Sequence, residues 1–596
     1  MRLEKQVAKI FTRRMLIIGA FKAFLFLIIF IRLFYLQIIN WGKFATLSDK
    51  NRIRFKAISP ERGLILDSQD NILVVNKTYY KLFIDTTINK HITELKNKII
   101  DLLSLDQEQI EQVEQNILKP KNQGQLLVMD NVSWEHLSII ELHNLELPGV
   151  YIESGRYRHY PFAELCSHLI GYVSSLSKDD ADYERLKRYD LKIGKSGIEK
   201  TFDHLLRGAV GFQQIEVDAY GNLIRELSTQ EPEFGQNIKL SINLELQQAA
   251  TSLLEGKDGA ITLMNCQTGQ VIAMCSSPGY NPNILSHGIT LDYWNKIIND
   301  KHFPLINKSI SRTIAPGSVF KLVVALAALE HGISPDDRHD CQGTFYLGNH
   351  AFHCWKRHKH GPINLKQAIQ HSCNIYFYYT AKILGIDAIA ATARKLGLGQ
   401  PTQIDLPHES TGLIPNKKWK KKRFKQDWTV GDSINVAIGH GYLLVTPIQL
   451  AVMAARIASG KELYPKIFTN NTDFANLDIA PEHLEIIREA MHMAVNQAGG
   501  TVFRFRNDMG ADYEFAAKTG TSQVIAIQRD ASGKALDNKS WETSHHGLCI
   551  GFGPYKTPKF ACSVMIEHGG SGAGAAAPVL SELLKLAMKL DKDGLV

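Results

Sequence analysis

The sequence predicts an α/β (α+β) domain over about residues 236–596, preceded by a smaller domain of mixed structure and a single apolar helix. One supporting observation is the length, because 596 residues are too many for one hydrophobic core. A second is a long apolar segment near the N-terminus. The third is a change of pattern near residue 236, where signals for strand pairs and for helices begin to follow one another.

The composition excludes several classes of protein. Apolar residues make up 44% of the chain and charged residues 21%, which is typical of globular domains. A formal net charge of +8 is too small at this length to indicate a nucleic-acid-binding protein. Eight cysteines are too few for a disulfide-stabilised scaffold.

The apolar segment at residues 15–40 predicts a transmembrane helix. As a helix it would be about 39 Å long, enough to span the hydrocarbon core of a bilayer. Cations outnumber the single Glu4 before it, so the positive-inside rule predicts a cytoplasmic tail at residues 1–14 and an external location for the rest. A cleaved signal peptide is one alternative, but the segment is too long and no small-residue cleavage site follows it. A buried core helix is the other, and such helices are rarely apolar on all sides.

Residues 41–235 predict a pedestal or dimerisation-like domain without chemistry of its own. Alternation over residues 60–73 predicts two strands joined by a tight turn. Residues 91–145 are rich in Lys, Glu, Gln and Leu at helical spacing, which predicts a small helical insertion. Short motifs around Arg158 and Glu199 are interpreted as fold-defining turns and core.

The C-terminal domain begins after a predicted linker at Pro232–Gln236. A helix is predicted from about Leu244 to Leu254, and residues 259–274 predict two strands with a turn between them. These elements indicate an α/β domain, and the candidate catalytic residues lie further along it.

Ser318 and Lys321 form the first candidate catalytic pair. They follow a Pro-Gly turn and lead into an apolar segment, so we predict that Ser318 lies in the first turn of a helix. Three residues is close to one helical turn, which places the hydroxyl and the amine on the same face. A serine and a lysine at this spacing are common by chance, and alone they would indicate only an exposed helix start.

Two later motifs supply the other groups that a site would need. Ser372 and Asn374 offer a hydroxyl that can relay a proton and an amide that can bind a carbonyl. The segment Lys518–Thr521 follows an apolar strand and offers a positive charge and two hydroxyls to a carboxylate. Gly520 within it would let a ligand approach the backbone closely.

The order and spacing of these three motifs resemble the transpeptidase motifs of penicillin-binding proteins and related β-lactamases. Further similar segments are Arg62–Asp67, Lys195–Lys200, Ser277–Asn283, Ala315–Ser318, Thr446–Ala451 and Glu567–Gly572. Over nearly its whole length the chain resembles the class B penicillin-binding proteins, most closely the penicillin-binding protein 2 group, the elongation-specific transpeptidases of Gram-negative bacteria. One departure is His440, where that family usually has glutamine between two glycines, and we expect it to affect a local loop only.

The resemblance implies a serine transpeptidase/β-lactamase-like fold and D,D-transpeptidation of peptidoglycan stem peptides ending in D-Ala-D-Ala. Ser318 would attack the penultimate carbonyl, the terminal D-Ala would leave, and an amine of a neighbouring stem peptide would resolve the acyl-enzyme. Lys321 would be the base, because crowding by Lys518 and partial desolvation can keep a lysine neutral near pH 7. No cofactor is expected for catalysis, and β-lactam antibiotics should acylate Ser318.

The remaining roles follow from the same resemblance. Ser372 would pass the proton to the leaving nitrogen, and Asn374 would hold the peptide amide. The backbone N–H groups of Ser318 and Thr521 would form the oxyanion hole, typically worth about 3 kcal/mol per donor. The terminal carboxylate would bind the third motif, formed by Lys518, Thr519, Gly520 and Thr521.

The resemblance also implies a location and partners. It implies a single-pass protein of the inner membrane with a cytoplasmic N-terminus and a periplasmic catalytic domain. The chain carries no glycosyltransferase region of its own, so a SEDS-family glycan polymerase and other elongation-complex proteins are expected as partners. No nucleic acid is expected.

Other functions use the same motifs. A septal class B transpeptidase, a D,D-carboxypeptidase or serine β-lactamase, and a β-lactam-binding sensor are the alternatives. The large pedestal and the retained anchor argue against a carboxypeptidase or β-lactamase. A sensor would need a cytoplasmic output domain, and only about 14 residues precede the apolar segment.

Cys341, Cys354, His360 and Cys373 form a second cluster, with the spacing C-x12-C-x5-H-x12-C. Three thiolates and one imidazole match a closed structural zinc site, which would tie the loop of Ser372 and Asn374 to the preceding segment. A disulfide between Cys341 and Cys354 and unrelated buried thiols are the alternatives.

Residues 417–425 are the most basic stretch of the chain. The predicted topology denies this stretch access to nucleic acid. It is interpreted either as a solvent-exposed face or as a site of attraction to anionic lipid or wall polymer.

Overall fold

The structure is a computed structural model. It describes residues 2–42, 53–86, 91–118, 125–130, 132–180, 182–187, 189, 191–217, 223–356, 359–468, 473–506, 508–524 and 540–595. The chain forms two compact units, one of Met1–Arg62 with Arg207–Gly235, and one of Gly63–Leu206 with Gln236–Val596.

The strands of the described residues, in chain order, are β1 (Ile53–Ile58), β2 (Ile65–Leu66), β3 (Ile72–Asp85), β4 (Gln125–Asp130), β5 (Val150–His159), β6 (Val173–Ser175), β7 (Lys192–Gly194), β8 (Gly211–Val217), β9 (Leu223–Gln230), β10 (Ile238–Lys239), β11 (Gly259–Asn265), β12 (Val271–Ser277), β13 (His339–Cys341), β14 (Thr344–Leu347), β15 (His350–His353), β16 (Gly361–Ile363), β17 (Ala516–Ser522), β18 (His546–Gly553) and β19 (Phe560–Ile566).

The α-helices of the same residues are α1 (Arg2–Phe34), α2 (Ile92–Leu103), α3 (Gln107–Leu118), α4 (Trp134–Leu142), α5 (Ser167–Ile170), α6 (Tyr183–Leu186), α7 (Gly197–Thr201), α8 (Asp203–Arg207), α9 (Leu244–Leu253), α10 (Pro282–His287), α11 (Leu291–Ile298), α12 (Lys308–Ser311), α13 (Lys321–Glu330), α14 (Leu365–Gln370), α15 (Asn374–Leu384), α16 (Ile386–Lys395), α17 (Lys417–Phe424), α18 (Val430–Ala437), α19 (Pro447–Ser459), α20 (Pro481–Asn496) and α21 (Ala577–Lys592).

The first unit holds the membrane anchor. Helix α1 continues as a π-helical turn at Tyr35–Ile39, and the stretch Phe11–Ile39 is long and apolar enough to cross a membrane. None of its most apolar window is buried within the protein, as expected of a single-pass anchor and not of a core helix. The same unit contains a three-stranded antiparallel sheet in the order β1-β8-β9.

The centre of the second unit is a five-stranded antiparallel sheet in the order β12-β11-β19-β18-β17. Its strands are buried on both faces, because side chains that alternate along each strand enter two different hydrophobic cores. Helices α9 and α21 cover one face, and α13, α15 and α19 belong to the core on the other. The predicted helix after residue 244 and the predicted strand pair in 259–274 are confirmed as α9, β11 and β12.

Residues 63–206 were assigned to the pedestal by the sequence, and they lie in one compact unit with residues 236–596. Strand β10 pairs in parallel with β2, so the chain leaves the predicted linker and immediately joins a pedestal sheet of order β10-β2-β3-β4, with β5 also on β3. The predicted helical insertion at 91–145 contains α2, α3 and α4 but also β4, which pairs with β3.

A buried ion pair fixes this pedestal region. Arg158 Nε donates to Glu199 at 2.7 Å, and the two side chains are almost fully buried. The same guanidinium donates to Gly63 O at 2.7 Å and to Asn76 Oδ1 at 3.0 Å. Three distant segments are thereby joined through one charge, in keeping with the predicted structural role of these motifs.

Candidate active site

Ser318 lies in a short 3-10 turn, Gly317–Phe320, directly before α13. Its side chain is half-buried, whereas Lys321 and the eight residues after it are buried. The sequence predicted a helix start here. The helix itself begins at Lys321, and the serine lies in the tighter turn that precedes it.

Two glycines allow this turn to pack against β17. Gly317 has φ +55°, and a Cβ there would lie 2.4 Å from Thr521 O. A Cβ on Gly520 would lie 2.8 Å from Pro316 O and from Val319 Cγ2. The serine turn therefore approaches Gly520 closely on one side, and that Gly520 also admits a ligand stays a prediction.

Lys321 is completely buried, and its amine points at the second motif. Its Nζ donates to Ser372 O at 2.8 Å, to Ser372 Oγ at 3.3 Å and to Asn374 Oδ1 at 2.7 Å. Burial lowers the pKa of Lys321 to about 8, because an ammonium loses its hydration there. About a tenth of the molecules therefore carry a neutral Lys321 at pH 7.

Lys518 is also completely buried and reaches the same hydroxyl. Its Nζ donates to Ser372 Oγ at 2.9 Å and to Thr519 O at 3.0 Å. Burial, together with the nearby charge of Lys321, holds the pKa of Lys518 well below its usual range. The sequence predicted that Lys518 faces a carboxylate, but its amine faces Ser372 inside the protein.

Ser372 lies in the constrained loop between α14 and α15, and Asn374 is the first residue of α15. Ser372 has φ +53°, in the left-handed region that non-glycine residues seldom adopt. Asn374 accepts from Lys321 and donates through Nδ2 to His353 O at 3.1 Å. Both side chains are thus oriented before any ligand enters.

A cavity of about 390 Å³ opens beside these groups. Six of the predicted site residues line it, namely Ser318, Ser372, Asn374, Thr519, Gly520 and Thr521. The two lysines lie behind this wall, in contact with Ser372. The structure therefore brings all three predicted motifs together at one site.

Seven further residues line the cavity, namely Trp355, Ile438, His440, Thr501, Gln523, Ser571 and Ala573. Thr501 accepts a hydrogen bond from Thr519 Oγ1 at 3.1 Å, and Trp355 Nε1 donates to His371 O at 3.0 Å. Trp355, Ile438 and Thr501 lie outside every segment that the sequence singled out, so the sequence offered no signal for them. Gln523 lies two residues after Thr521, and Ser571 lies within the similar segment Glu567–Gly572.

His440 is different, because the sequence did single it out. It was expected to affect a local loop only. That loop lines the cavity with Ser318, and the absence of an effect on the chemistry stays a prediction. Ile438 O accepts from Nδ1 at 3.0 Å, which leaves Nε2 as a buried acceptor without a hydrogen-bond partner among the described residues. Burial lowers the pKa of His440 to about 4, so the imidazole is neutral.

The Cys/His cluster lies directly beside the second motif. Cys341 ends β13, Cys354 follows β15, His360 precedes β16, and Cys373 lies between Ser372 and Asn374. The four ligand atoms all lie within 4.8 Å of one another. All eight cysteines of the chain are free, so the alternative disulfide is not formed in this structure.

The geometry of this cluster fits a tetrahedral metal ion. His360 Nδ1 lies 3.4 Å from Cys341 Sγ and 3.6 Å from Cys354 Sγ. Zinc–sulfur and zinc–nitrogen bonds of ordinary length at a tetrahedral angle give a sulfur–nitrogen separation of about 3.6 Å. Hydrogen bonds from Cys373 and His360 lower the pKa of Cys354, which favours the thiolate form that binds metal.

Models of two protein families match the chain. The penicillin-binding protein transpeptidase domain matches residues 259–585, and the penicillin-binding protein dimerisation domain matches residues 57–240. The first match covers more than half of the chain.

Several relatives align over nearly the full length. The peptidoglycan D,D-transpeptidase MrdA of Acinetobacter baumannii is 33% identical over 91% of this chain and 83% of its own length. MrdA of Salmonella typhimurium is 32% identical over 97% of this chain and 96% of its own length. In structure, the penicillin-binding protein PBP2 of Helicobacter pylori, solved in complex with MreC, is 30% identical with a TM-score of 0.80, over 91% of this chain and 99% of that one. The chain therefore belongs to the penicillin-binding protein transpeptidase family, in its penicillin-binding protein 2 group.

Proposed function

We propose that this protein is a peptidoglycan D,D-transpeptidase that cross-links stem peptides by a serine acyl-enzyme mechanism during cell elongation. The observation that carries the proposal is the convergence of Lys321 Nζ and Lys518 Nζ on Ser372 Oγ, beside a cavity lined by Ser318. The names of the relatives and the family of the catalytic domain support it.

The acylation step begins with the Ser318 hydroxyl. Lys321 in its neutral form takes the proton, and with a pKa of about 8 roughly one in ten molecules is ready at pH 7. The Ser318 oxygen attacks the penultimate carbonyl of a stem peptide, and the C–N bond to the terminal D-Ala breaks. Ser372, which contacts both lysines, passes a proton to the departing nitrogen.

The acyl-enzyme then reacts with a second stem peptide. Its amine attacks the ester carbonyl and loses a proton through the same chain of groups, and Ser318 is released with its hydroxyl restored. The backbone N–H groups of Ser318 and Thr521 stabilise the oxyanion in both steps. The catalytic steps use side chains and backbone groups of this chain.

Substrate binding is assigned to the side chains that face the cavity. The hydroxyls of Thr519 and Thr521 hold the terminal carboxylate, with Gly520 between them. Lys518 acts on that carboxylate through its charge from behind the wall, because its amine is already engaged by Ser372. The Asn374 amide, oriented by Lys321, holds the peptide backbone of the substrate.

We further propose a structural zinc ion bound by Cys341, Cys354, His360 and Cys373. The separations of their ligand atoms support this assignment. Such an ion would hold Cys373, and therefore the neighbouring Ser372 and Asn374, in place. It would take no part in the chemical steps.

The proposed location is the inner membrane, with the N-terminus in the cytoplasm and the catalytic domain in the periplasm. The excess of cations before the apolar segment supports this orientation. Proposed partners are an MreC-like protein and a SEDS-family glycan polymerase. The first is supported by the complex that the Helicobacter pylori relative forms.

The test is to incubate the full chain in detergent with strands carrying stem peptides that end in D-Ala-D-Ala. We expect released D-Ala together with cross-linked dimers, both lost in Ser318→Ala. Release of D-Ala without dimers would instead identify a D,D-carboxypeptidase. Rapid turnover of penicillin in a parallel assay would identify a β-lactamase.

A further inference from the structure

Helix α17 presents a group of uncompensated positive charges. Of the seven cations at residues 417–425, three have acidic partners: Lys417 with Asp387 at 3.6 Å, Lys420 with Asp432 at 2.5 Å and Lys421 with Asp427 at 3.0 Å. The other four are exposed and have no acidic partner in the described part of the chain. We call these four the cationic patch: Lys418, Lys422, Arg423 and Lys425.

The cationic patch is carried on a firmly anchored helix. Asn416 caps α17 by accepting from Trp419 N at 2.8 Å. Lys420 is only 4% exposed, and Asp432, which it contacts, also accepts from Thr429 N at 2.7 Å. Thus α17 is tied to the start of α18, and the exposed charges occupy a fixed surface.

That surface is connected to the catalytic cavity through Tyr442. The rings of Trp419, Phe424 and Tyr442 pack together, with centroid separations of 5.2–5.6 Å. Tyr442 is two residues after His440, which lines the cavity, and two residues span at most about 7 Å of chain. A long ligand that fills the cavity can therefore also reach α17.

We infer that the cationic patch binds a peptidoglycan strand while one stem peptide of that strand occupies the cavity. The groups that it binds are the carboxylates of the neighbouring stem peptides on the same strand. This inference rests on the proposed function. An uncross-linked strand repeats a terminal carboxylate along its length, so it is a polyanion. Four uncompensated cations beside the cavity complement that charge and would hold a strand while one peptide reacts.

A lipid surface fits the same charges less well. A helix that lies on a membrane inserts a free apolar face between the headgroups. The apolar side chains of α17, Trp419 and Phe424, are instead packed against Tyr442. Trp419 is partly buried and Phe424 is 43% exposed, so the helix offers a bilayer a single ring beside its exposed cations and not a continuous apolar face.

The experiment measures binding of fluorescently labelled glycan strands carrying D-Ala-D-Ala stem peptides to the full chain in detergent, with Ser318→Ala preventing turnover. The test variant neutralises three patch residues, as Lys418→Gln, Lys422→Gln and Arg423→Gln. The control variant removes the same charge from exposed lysines outside α17, as Lys257→Gln, Lys556→Gln and Lys589→Gln. Acylation by penicillin is measured in parallel with Ser318 restored.

We expect the test variant to bind strands about tenfold more weakly than the control at low salt, with penicillin acylation unchanged in both. The difference should vanish near 1 M salt, where the Debye length is about 3 Å. Equal strand binding by the two variants would overturn the inference. So would loss of binding to phosphatidylglycerol vesicles with strand binding intact, because the patch would then recognise lipid.

The two proposals fail in different ways. A wild-type chain that penicillin does not acylate at Ser318 would refute the proposed function. If strand binding in that same chain still depended on the patch residues, the inference that the cationic patch binds a polyanion would stand without the proposed function.

Discussion

Lys518 and Ser372 are joined by a 2.9 Å hydrogen bond from the lysine Nζ to the serine Oγ, deep inside the protein. Lys321 donates to the same hydroxyl at 3.3 Å, and both lysines are fully buried. Two buried ammonium groups that contact the same hydroxyl are strongly disfavoured, because they repel each other and have lost their hydration. At least one of the two lysines therefore gives up its proton easily. That property suits a hydroxyl that must relay a proton.

Removing the relay should slow acylation without unfolding the protein. Ser372→Ala is expected to lower the second-order rate constant for penicillin acylation by about 100-fold or more, the usual contribution of a positioned acid–base group. The rate is measured by stopped-flow with a fluorescent penicillin. The control is Ser563→Ala, which removes a buried serine hydroxyl that donates to Pro447 O at 2.7 Å outside the cavity. Equal rates in the two variants would mean that Ser372 does not relay the proton.

The pH dependence should report on Lys321. Burial lowers its pKa to about 8, and the base is the neutral form, so acylation should rise as the pH increases through 8. The rate should increase about tenfold between pH 7 and pH 9, following the neutral fraction. Lys321→Arg, which stays charged, should be inactive across this range. A rate that is flat or falls with pH would contradict the assignment of the base.

His440 should influence this profile only through its charge. Its imidazole is neutral because burial lowers its pKa to about 4, so His440→Gln should leave the midpoint near pH 8. His440→Arg places a permanent cation near Lys321 and should move the midpoint to lower pH. Acylation rates measured from pH 6 to pH 10 check both variants. A shifted midpoint in the glutamine variant would show that the imidazole is charged in the working enzyme.

Metal removal should act on the neighbouring loop. Elemental analysis is expected to find zinc in the wild-type chain and none in Cys341→Ala. Loss of the ion should release Cys373 and slow acylation by about 10- to 100-fold, since Ser372 and Asn374 would be misplaced. Cys562→Ala, a buried cysteine in β19, is the control and should keep both metal and activity. Metal-free wild-type protein with fewer titratable thiols than expected would favour a disulfide.

The buried pair of Arg158 and Glu199 should matter for stability and not for chemistry. Glu199→Gln leaves a buried guanidinium without its counter-charge and should lower the free energy of unfolding by about 3–5 kcal/mol. The exposed pair of Arg185 and Asp182 is the control, and Asp182→Asn should have little effect. Chemical denaturation measures both changes. Penicillin acylation by the folded Glu199→Gln protein should stay normal.

The sequence predicted the parts of the site that short motifs encode. Ser318, Ser372 and Thr519 were expected at one site, and they do line one cavity. Their residue types and their order along the chain were enough to predict this. Two features depend on packing between distant segments and leave no local pattern. One is the inward direction of Lys518, and the other is the contact of Gly520 with the serine turn.

The fold shows the same division. Helix α9 and the pair β11 and β12 follow from local periodicity. The pairing of β10 with β2 joins residues about 170 positions apart, and the two-residue strands are too short to show alternation. Strand β4 lies within a segment whose composition is helical. It is a strand because it pairs with β3, and the composition of the segment does not show that pairing.

The most direct test of the central claim is to map the penicillin adduct by mass spectrometry on the full chain in detergent. The account predicts a single acyl adduct on Ser318, absent from Ser318→Ala and strongly reduced in Lys321→Ala. An adduct on another residue, or one on Ser318 that forms at the wild-type rate in Lys321→Ala, would contradict it.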